Sequence, residues 1–346
     1  MNDPFNLSIK ELLGEAVSRG ASDIHLSAGL APILRVHGDL IRLDRPAIAH
    51  EALVDMVSGL LTPPQVAHWK SSFEIDFAHE DAEFGRYRIN GFFQQRGAGA
   101  VLRRISDQIP NLGSLNAPKV LADLMLKPRG LVLVTGPTGS GKSTTLAAML
   151  DYLNGLFPKH IITVEDPIEF VHTSKTSLIN QRELGSSTSD FNIALRASLR
   201  EDPDVILIGE LRDLETIRLA LTAAETGHLV LATLHTSGAP KTIDRLIDVF
   251  PGQEKELVRA LLAESLLGVI SQCLVKTADG KGRVAAFEVM LGTTAIRNLI
   301  REGKVAQLYS TIQTGSSVGM QTLDQSLGEL VRRGVITAED AKSWGR

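Results

Sequence analysis

The sequence predicts an α/β chain of two domains, a mixed α+β domain followed by a parallel-sheet domain. Three observations predict it. The length of 346 residues fits two domains at roughly 150 residues each. A breaker-rich, uncharged stretch, Ile109-Pro-Asn-Leu-Gly-Ser-Leu-Asn-Ala-Pro118, interrupts the pattern. Beyond it, continuous apolar strands alternate with helices, which implies a parallel sheet covered on both faces. The expected division is a first domain over 1–108, a linker over 109–118 and a second domain over 119–346.

Composition narrows the function class. The chain is 43% hydrophobic and 22% charged, close to the globular average, which excludes a disordered or fibrous chain. The 36 Lys and Arg against 40 Asp and Glu give a net charge of −4, so no broad basic field exists and a nucleic-acid partner is not expected. The longest uncharged apolar runs, such as Gly130 to Val134 and Val205 to Gly209, are far shorter than a membrane-spanning helix needs. Met1-Asn2-Asp3-Pro4 opens no secretory signal. The single cysteine, Cys273, leaves neither an internal disulfide nor a cysteine zinc cage, and the expected compartment is the cytoplasm.

Each element has its own signal. Ser8 and Glu11 have capping-box spacing, Ile9, Leu12, Leu13, Ala16 and Val17 share a helical face, and Gly20 stops the helix. Strand-like pieces follow at 23–27, 33–36, 85–90 and 100–105, with a helix around 51–61 expected to stop before Pro63-Pro64. In the second domain the spacing predicts strands at 131–135, 161–164, 205–209 and 229–234, and helices at 142–153 and 213–226.

The chemistry concentrates in the second domain. Gly136, Pro137, Thr138, Gly139, Ser140, Gly141, Lys142 and Ser143 match G-x-x-x-x-G-K-[ST] between an apolar strand and a helix, with Thr144 next. The glycines let backbone N–H groups close around phosphates, Lys142 reaches the terminal phosphates of ATP and the Ser143 hydroxyl ligates Mg²⁺. Two later strands end in Glu165 and Glu210. Ligands of open α/β sheets lie beyond the carboxyl ends of the strands, so one glutamate is expected to hold the metal and the other the water. His228 and His235 flank one strand roughly 23 Å apart at about 3.3 Å per residue. They cannot share a ligand; His235 falls at the crevice end.

In the first domain, alternation across Arg86-Tyr87-Arg88-Ile89-Asn90 sets Arg86, Arg88 and Asn90 opposite Tyr87 and Ile89. Arg103 shares a face with Val101 and Ile105 and so needs an anionic partner if covered. In an oligomer such arginines could reach a neighbour's ATP.

The motifs Gly136 to Thr145, Val164-Glu-Asp-Pro-Ile-Glu169, Leu199-Arg-Glu-Asp-Pro-Asp-Val205, Gly209-Glu-Leu-Arg-Asp213, Thr226-Gly-His-Leu-Val230 and Thr233-Leu-His-Thr236 together resemble the secretion ATPases of type II secretion and type IV pili. Ala295-Ile-Arg-Asn-Leu-Ile-Arg-Glu302 resembles the signature of the pilus retraction group. The extension and type II members usually carry a tetracysteine zinc motif, which Cys273 alone does not provide. The resemblance implies a homohexameric motor with an N-terminal PAS-like α+β domain followed by a RecA-like P-loop NTPase domain. It also implies Glu165 as water activator, Glu210 as the Mg²⁺-associated Walker B glutamate, His228 and His235 as a His box, and Arg88 and Arg103 as arginines sent into the nucleotide site. Where the family has Gly-Glu-Met-Arg, this chain has Gly-Glu-Leu-Arg. The implied partners are an inner-membrane platform protein and the pilus machinery, with the motor peripheral to the cytoplasmic face of that membrane and not spanning it.

Three rivals stand beside this reading: an accessory retraction ATPase, disfavoured by the short tail after Ile336; a nucleic-acid motor; and a scaffold that binds ATP without turnover. In the 295–302 signature, Ala295, Ile296, Leu299 and Ile300 form the expected packing stripe, with Arg297, Asn298, Arg301 and Glu302 facing outward.

Overall fold

Ser8 accepts from the Glu11 N–H at 3.2 Å while the Glu11 carboxylate accepts from the Ser8 N–H at 3.4 Å, and this closed box starts α1 (Ile9–Ser18). The chain is described by a computed structural model over residues 8–36, 38–105 and 108–345. Met1 to Pro4, read above for a signal, lie outside the described residues. Two units result, Met1–Gln108 and Ile109–Arg346.

After α1 the first unit continues as β1 (Asp23–Ser27), β2 (Ile33–Val36), β3 (Asp39–Arg42), α2 (His50–Ser58), α3 (Pro63–Ser72), β4 (Glu74–Asp81), β5 (Gly85–Gln94) and β6 (Gly97–Arg104). The strands form a six-stranded sheet in the order β3-β2-β1-β6-β5-β4, and each pairing is antiparallel. One face packs under the helices, with Leu12, Leu13, Leu53 and Trp69 meeting Ile24, Tyr87, Ile89 and Leu102. Tyr87 and Ile89 are buried while Arg86, Arg88 and Asn90 are not, as the alternation predicts.

Pro63-Pro64 behaves contrary to expectation. The pair opens α3, with Thr62 as N-cap and Gln65 completing a capping box, because proline lacks only an N–H that the first turn leaves unpaired anyway. β3 and β4 were not foreseen. All of β3 is exposed, so it carries no inward apolar alternation to recognise.

The second unit runs α4 (Val120–Met125), β7 (Gly130–Thr135), α5 (Lys142–Leu156), β8 (His160–Glu165), β9 (Leu178–Glu183), α6 (Phe191–Ser198), β10 (Val205–Ile208), α7 (Leu214–Glu225) and β11 (Leu229–Leu234). It closes with α8 (Ala239–Asp248), α9 (Lys255–Ser265), β12 (Leu266–Lys276), β13 (Arg283–Leu291), α10 (Thr294–Arg301), α11 (Leu308–Thr314), α12 (Leu323–Arg332) and α13 (Ala338–Lys342). Residues 109–118 fall on this side of the division, with Leu112 and Ala117 packed against its core.

The seven-stranded sheet has the order β13-β12-β7-β11-β10-β8-β9. Six strands are parallel, and β13 pairs antiparallel to β12. The sheet is therefore mixed, where the sequence predicted a parallel one; the long β12–β13 hairpin extends it at one edge. Both faces are covered. Leu131 and Leu133 of β7 join the core under α7 to α11, and Val132 and Val134 join the one under α4 and α5, which is why the run is apolar without alternation. Among the described residues no helix is long and apolar enough to cross a membrane.

The 295–302 signature forms α10, capped by Thr293. Ile296 and Ile300 are buried, and Ala295, Asn298, Arg301 and Glu302 are exposed. Arg297 corrects the outward-facing expectation. Its guanidinium folds back to donate to three backbone carbonyls, Gly292 at 2.7 Å, Glu264 at 2.7 Å and Leu266 at 3.1 Å, which closes the end of α9 that precedes β12. Arg301 stays exposed and donates to Asn298 at 3.0 Å. Arg297→Ala is therefore expected to lower stability by about 1–3 kcal/mol, whereas Arg301→Ala should stay within about 0.5 kcal/mol. Urea unfolding of both variants separates them; equal midpoints would remove the structural role given to Arg297.

Candidate functional site: a phosphate loop facing two strand-end glutamates

The loop between β7 and α5 is built to approach a ligand with its backbone. Gly136 has φ 145°, and a Cβ there would lie 2.2 Å from the Gln272 carbonyl and 2.6 Å from the Ser140 hydroxyl, so only glycine fits. Behind the loop, Gln272 of β12 donates from Nε2 to the Ser140 carbonyl at 2.7 Å. No sequence signal marks this support, because Gln272 stands 132 residues after Ser140 on a different strand. Pro137, Thr138 and Gly139 are exposed at the tip, Ser140 is buried, and Ser143 and Thr144 lie in the first turn of α5, where free N–H groups and the helix dipole favour an anion.

Lys142 Nζ turns inward, donating to the carbonyls of Gly136 at 3.0 Å and Pro137 at 3.1 Å. It also lies 3.4 Å from Nδ1 of His235. Burial pulls the Lys142 ammonium below its ordinary value, and Glu210 and Glu169 oppose that pull. An ammonium cannot accept, so His235 Nδ1 accepts and its proton, assigned from these partners, sits on Nε2. Nε2 is 3.4 Å from Glu210 Oε1. Glu210 Oε2 accepts from Arg212 Nε at 2.7 Å, and Arg212 Nη1 donates to Asp166 at 2.9 Å. The resulting chain runs Lys142, His235, Glu210, Arg212, Asp166 across the carboxyl ends of β7, β11, β10 and β8.

β8 and β10 touch where they end. A Cβ on Gly209 would lie 3.2 Å from both Glu165 Cα and the Val164 carbonyl, so a side chain at 209 would press on the backbone that carries Glu165. On β8, Glu165 is partly enclosed. Its Oε1 accepts from the Thr163 hydroxyl at 2.7 Å and from Gln181 Nε2 at 3.2 Å. Burial pushes its carboxyl up to about 7, against the hydrogen bonds from Thr163 and Gln181 and with a small push from Glu169. A carboxyl poised there can accept a proton near neutral pH.

Of the residues singled out from the sequence, the loop, Glu165, Glu210 and His235 share this end of the sheet. His228 does not. It precedes β11 at the opposite end, its Nδ1 3.0 Å from the Ala223 carbonyl. On the first unit, Arg103 Nε donates to buried Asp23 at 2.8 Å while its side chain is 70% exposed, and Asp23 is its registered neighbour on β1. Arg88, opposite Arg103 on β5, is held by Asp76 through Nη2 at 2.6 Å and Nε at 3.1 Å. Cys273 is buried, and burial pushes its thiol up to about 11, which leaves it inert near neutral pH. Reasoning from sequence missed Thr163, Gln181 and Gln272, and it quoted Asp166 and Arg212 within motifs without giving either a role. Thr163 also carried a signal, being two residues before Glu165 and so on the same strand face.

Comparison with known proteins agrees with this geometry. The model of the family described as "Type II/IV secretion system protein" matches residues 2–285. The chain belongs to this family. It is 57% identical over 336 residues to the type IV pilus retraction ATPase PilT of Pseudomonas aeruginosa, covering 97% of each chain. The type IV pilus ATPase PilU of the same organism is 41% identical, over 97% of this chain and 88% of that one. Among solved structures, a crystal structure of the pilus retraction motor PilT with bound ADP superposes with TM-score 0.91 at 45% identity, covering 98% of this chain and 97% of that one. The α/β fold is thus that of the PilT-type members of the secretion ATPase family, a family to which nucleotide binding belongs.

Proposed function

We propose that this chain is an ATP-driven homohexameric motor that powers type IV pilus disassembly and retraction, and hence twitching motility. It works at the cytoplasmic face of the inner membrane, with a PAS-like domain over 1–108, a linker over 109–118 and a RecA-like domain over 119–346. The observation that carries this reading is the 57% identity to PilT over 97% of both chains. The lower identity to PilU, 41%, favours the retraction motor over its accessory relative.

ATP is the substrate. The N–H groups from Gly136 to Thr144 surround the phosphates, and Lys142 exchanges its loop carbonyls for the β and γ oxygens. Ser143 and Glu210 supply a hydroxyl and a carboxylate oxygen, hard donors that suit Mg²⁺ and are as few as a P-loop site uses. Bound Mg²⁺ neutralises charge developing on the phosphates. Glu165 takes the proton of the attacking water, and His235 links Lys142 to Glu210 so that the cation and the metal-side carboxylate keep their places. Arg88 and Arg103, each steadied by an aspartate, are offered to the nucleotide of a neighbouring subunit. His228 is given an interface role at the far end of β11.

The pilus machinery and an inner-membrane platform protein are the partners, and the exposed polar side chains Asn298 and Arg301 of α10, with Glu302 just after it, are available to couple movement to them. Complementing cells that lack both the retraction ATPase and its accessory relative tests this function. The chain should restore twitching on its own, together with Mg²⁺-dependent ATPase activity of the purified ring. An active ATPase that restores twitching only alongside a second retraction ATPase would make it the accessory protein.

A further inference from the structure

Gln181 lies on the edge strand β9, in register with Thr163 of β8, and its amide is engaged on every side. Oε1 accepts from the His172 N–H at 2.7 Å, and Nε2 donates to the Phe170 carbonyl at 2.9 Å. A flipped amide would set carbonyl against carbonyl and N–H against N–H, so these two partners fix its orientation. The second Nε2 hydrogen is then aimed at Glu165 Oε1, 3.2 Å away. The Thr163 hydroxyl enters the same oxygen at 2.7 Å.

We propose that Gln181 is the positioning residue of this site: locked by Phe170 and His172, it anchors Oε1 of Glu165 together with Thr163 and turns Oε2 toward the water. This rests on Glu165 being the base. The same amide ties the loop leaving β8 to the base, so the segment carrying Glu169 and the carboxylate are held as one piece. Two donors on one oxygen favour the ionised carboxylate. The other acids at this edge do not replace that role. The Glu169 carboxylate follows on the same loop and opposes ionisation, while the Glu169 backbone N–H hydrogen-bonds to the Glu165 carboxyl and favours it. Glu183, the registered neighbour of Glu165 on β9, accepts from the Ile168 N–H at 2.9 Å. Glu210, at the end of β10, is taken up by Arg212 and His235.

The test uses the full chain and two readouts. Infrared titration of the nucleotide-free protein follows the carboxylic acid band that disappears in Glu165→Gln. In Gln181→Leu that band should titrate about one pH unit higher than in the wild type, a tenfold change in proton affinity. The acid limb of turnover should move up by the same amount, while nucleotide affinity changes less than twofold. Thr163→Val, which keeps the branched shape inside the strand, should shift both readouts in the same direction and covers the case in which Gln181→Leu does not fold. A folded Gln181→Leu or Thr163→Val whose Glu165 titrates as in the wild type overturns the proposal. Full turnover in Glu165→Gln would instead remove the base role and leave the infrared result standing.

Discussion

Lys142→Ala should abolish tight nucleotide binding while leaving the fold in place. The ammonium makes at least two charge-assisted contacts to phosphate oxygens in the proposed complex. At about 1.5–3 kcal/mol each, their loss corresponds to a roughly 10²–10⁴-fold rise in Kd. The strand and helix on either side do not depend on it: β7 is buried along its whole length, and α5 is held by Leu146, Met149, Leu150 and Leu153. Of the two acceptors that Nζ gives up, Pro137 lies at the exposed tip and can be rehydrated, and only Gly136 is buried. Calorimetric titration with ADP alongside circular dichroism checks both halves. Unchanged affinity in a folded variant would take the phosphates away from this loop.

Glu165→Gln should have the opposite pattern. Binding is kept, because Glu165 is not among the groups assigned to the phosphates, and turnover falls by about 10²–10⁴-fold with the loss of the base. In the wild type, turnover should rise with pH through about 7, where burial has placed the carboxyl, and Glu165→Gln should lack that limb. Stability moves the other way. A carboxyl raised from 4.5 to about 7 on folding is protonated more readily in the folded chain, so its stabilising contribution is complete below about pH 4.5 and lost as pH rises through 7. Glu165→Gln should therefore melt above the wild type at pH 8, by at most about 3 kcal/mol, with the gap closing below pH 4.5. A variant that melts lower at pH 8 would show that the carboxylate is well solvated. Such a cost is ordinary for a site selected for chemistry rather than stability.

The sequence by itself determined the parts of this protein whose physics is local. The phosphate loop needs glycines between an apolar strand and a helix start, and all of those residues are adjacent in the chain. α1 was legible because its capping box and apolar face lie within one short window. The strands β7, β8, β10 and β11 were legible because burial on both faces makes them unbroken apolar runs, and their order in sequence put Glu165, Glu210 and His235 at the same end. Tertiary structure decided what depends on distant segments. Pro63-Pro64 is not among these: Thr62 and Gln65 have the same local capping-box spacing as Ser8 and Glu11, so the start of α3 was legible in the sequence and was passed over in favour of a helix stop. β9 is partly exposed and polar, so neither it nor the amide of Gln181 could be foreseen beside Glu165. Gln272 reaches the phosphate loop because β12 pairs with β7, and Arg297 points inward because the carbonyls at the end of α9 lie within its reach. A pattern reports which face of an element is apolar. Which polar group meets which is fixed by the pairing of strands and helices far apart in sequence, since a half-buried donor settles on whatever acceptor the fold brings near it.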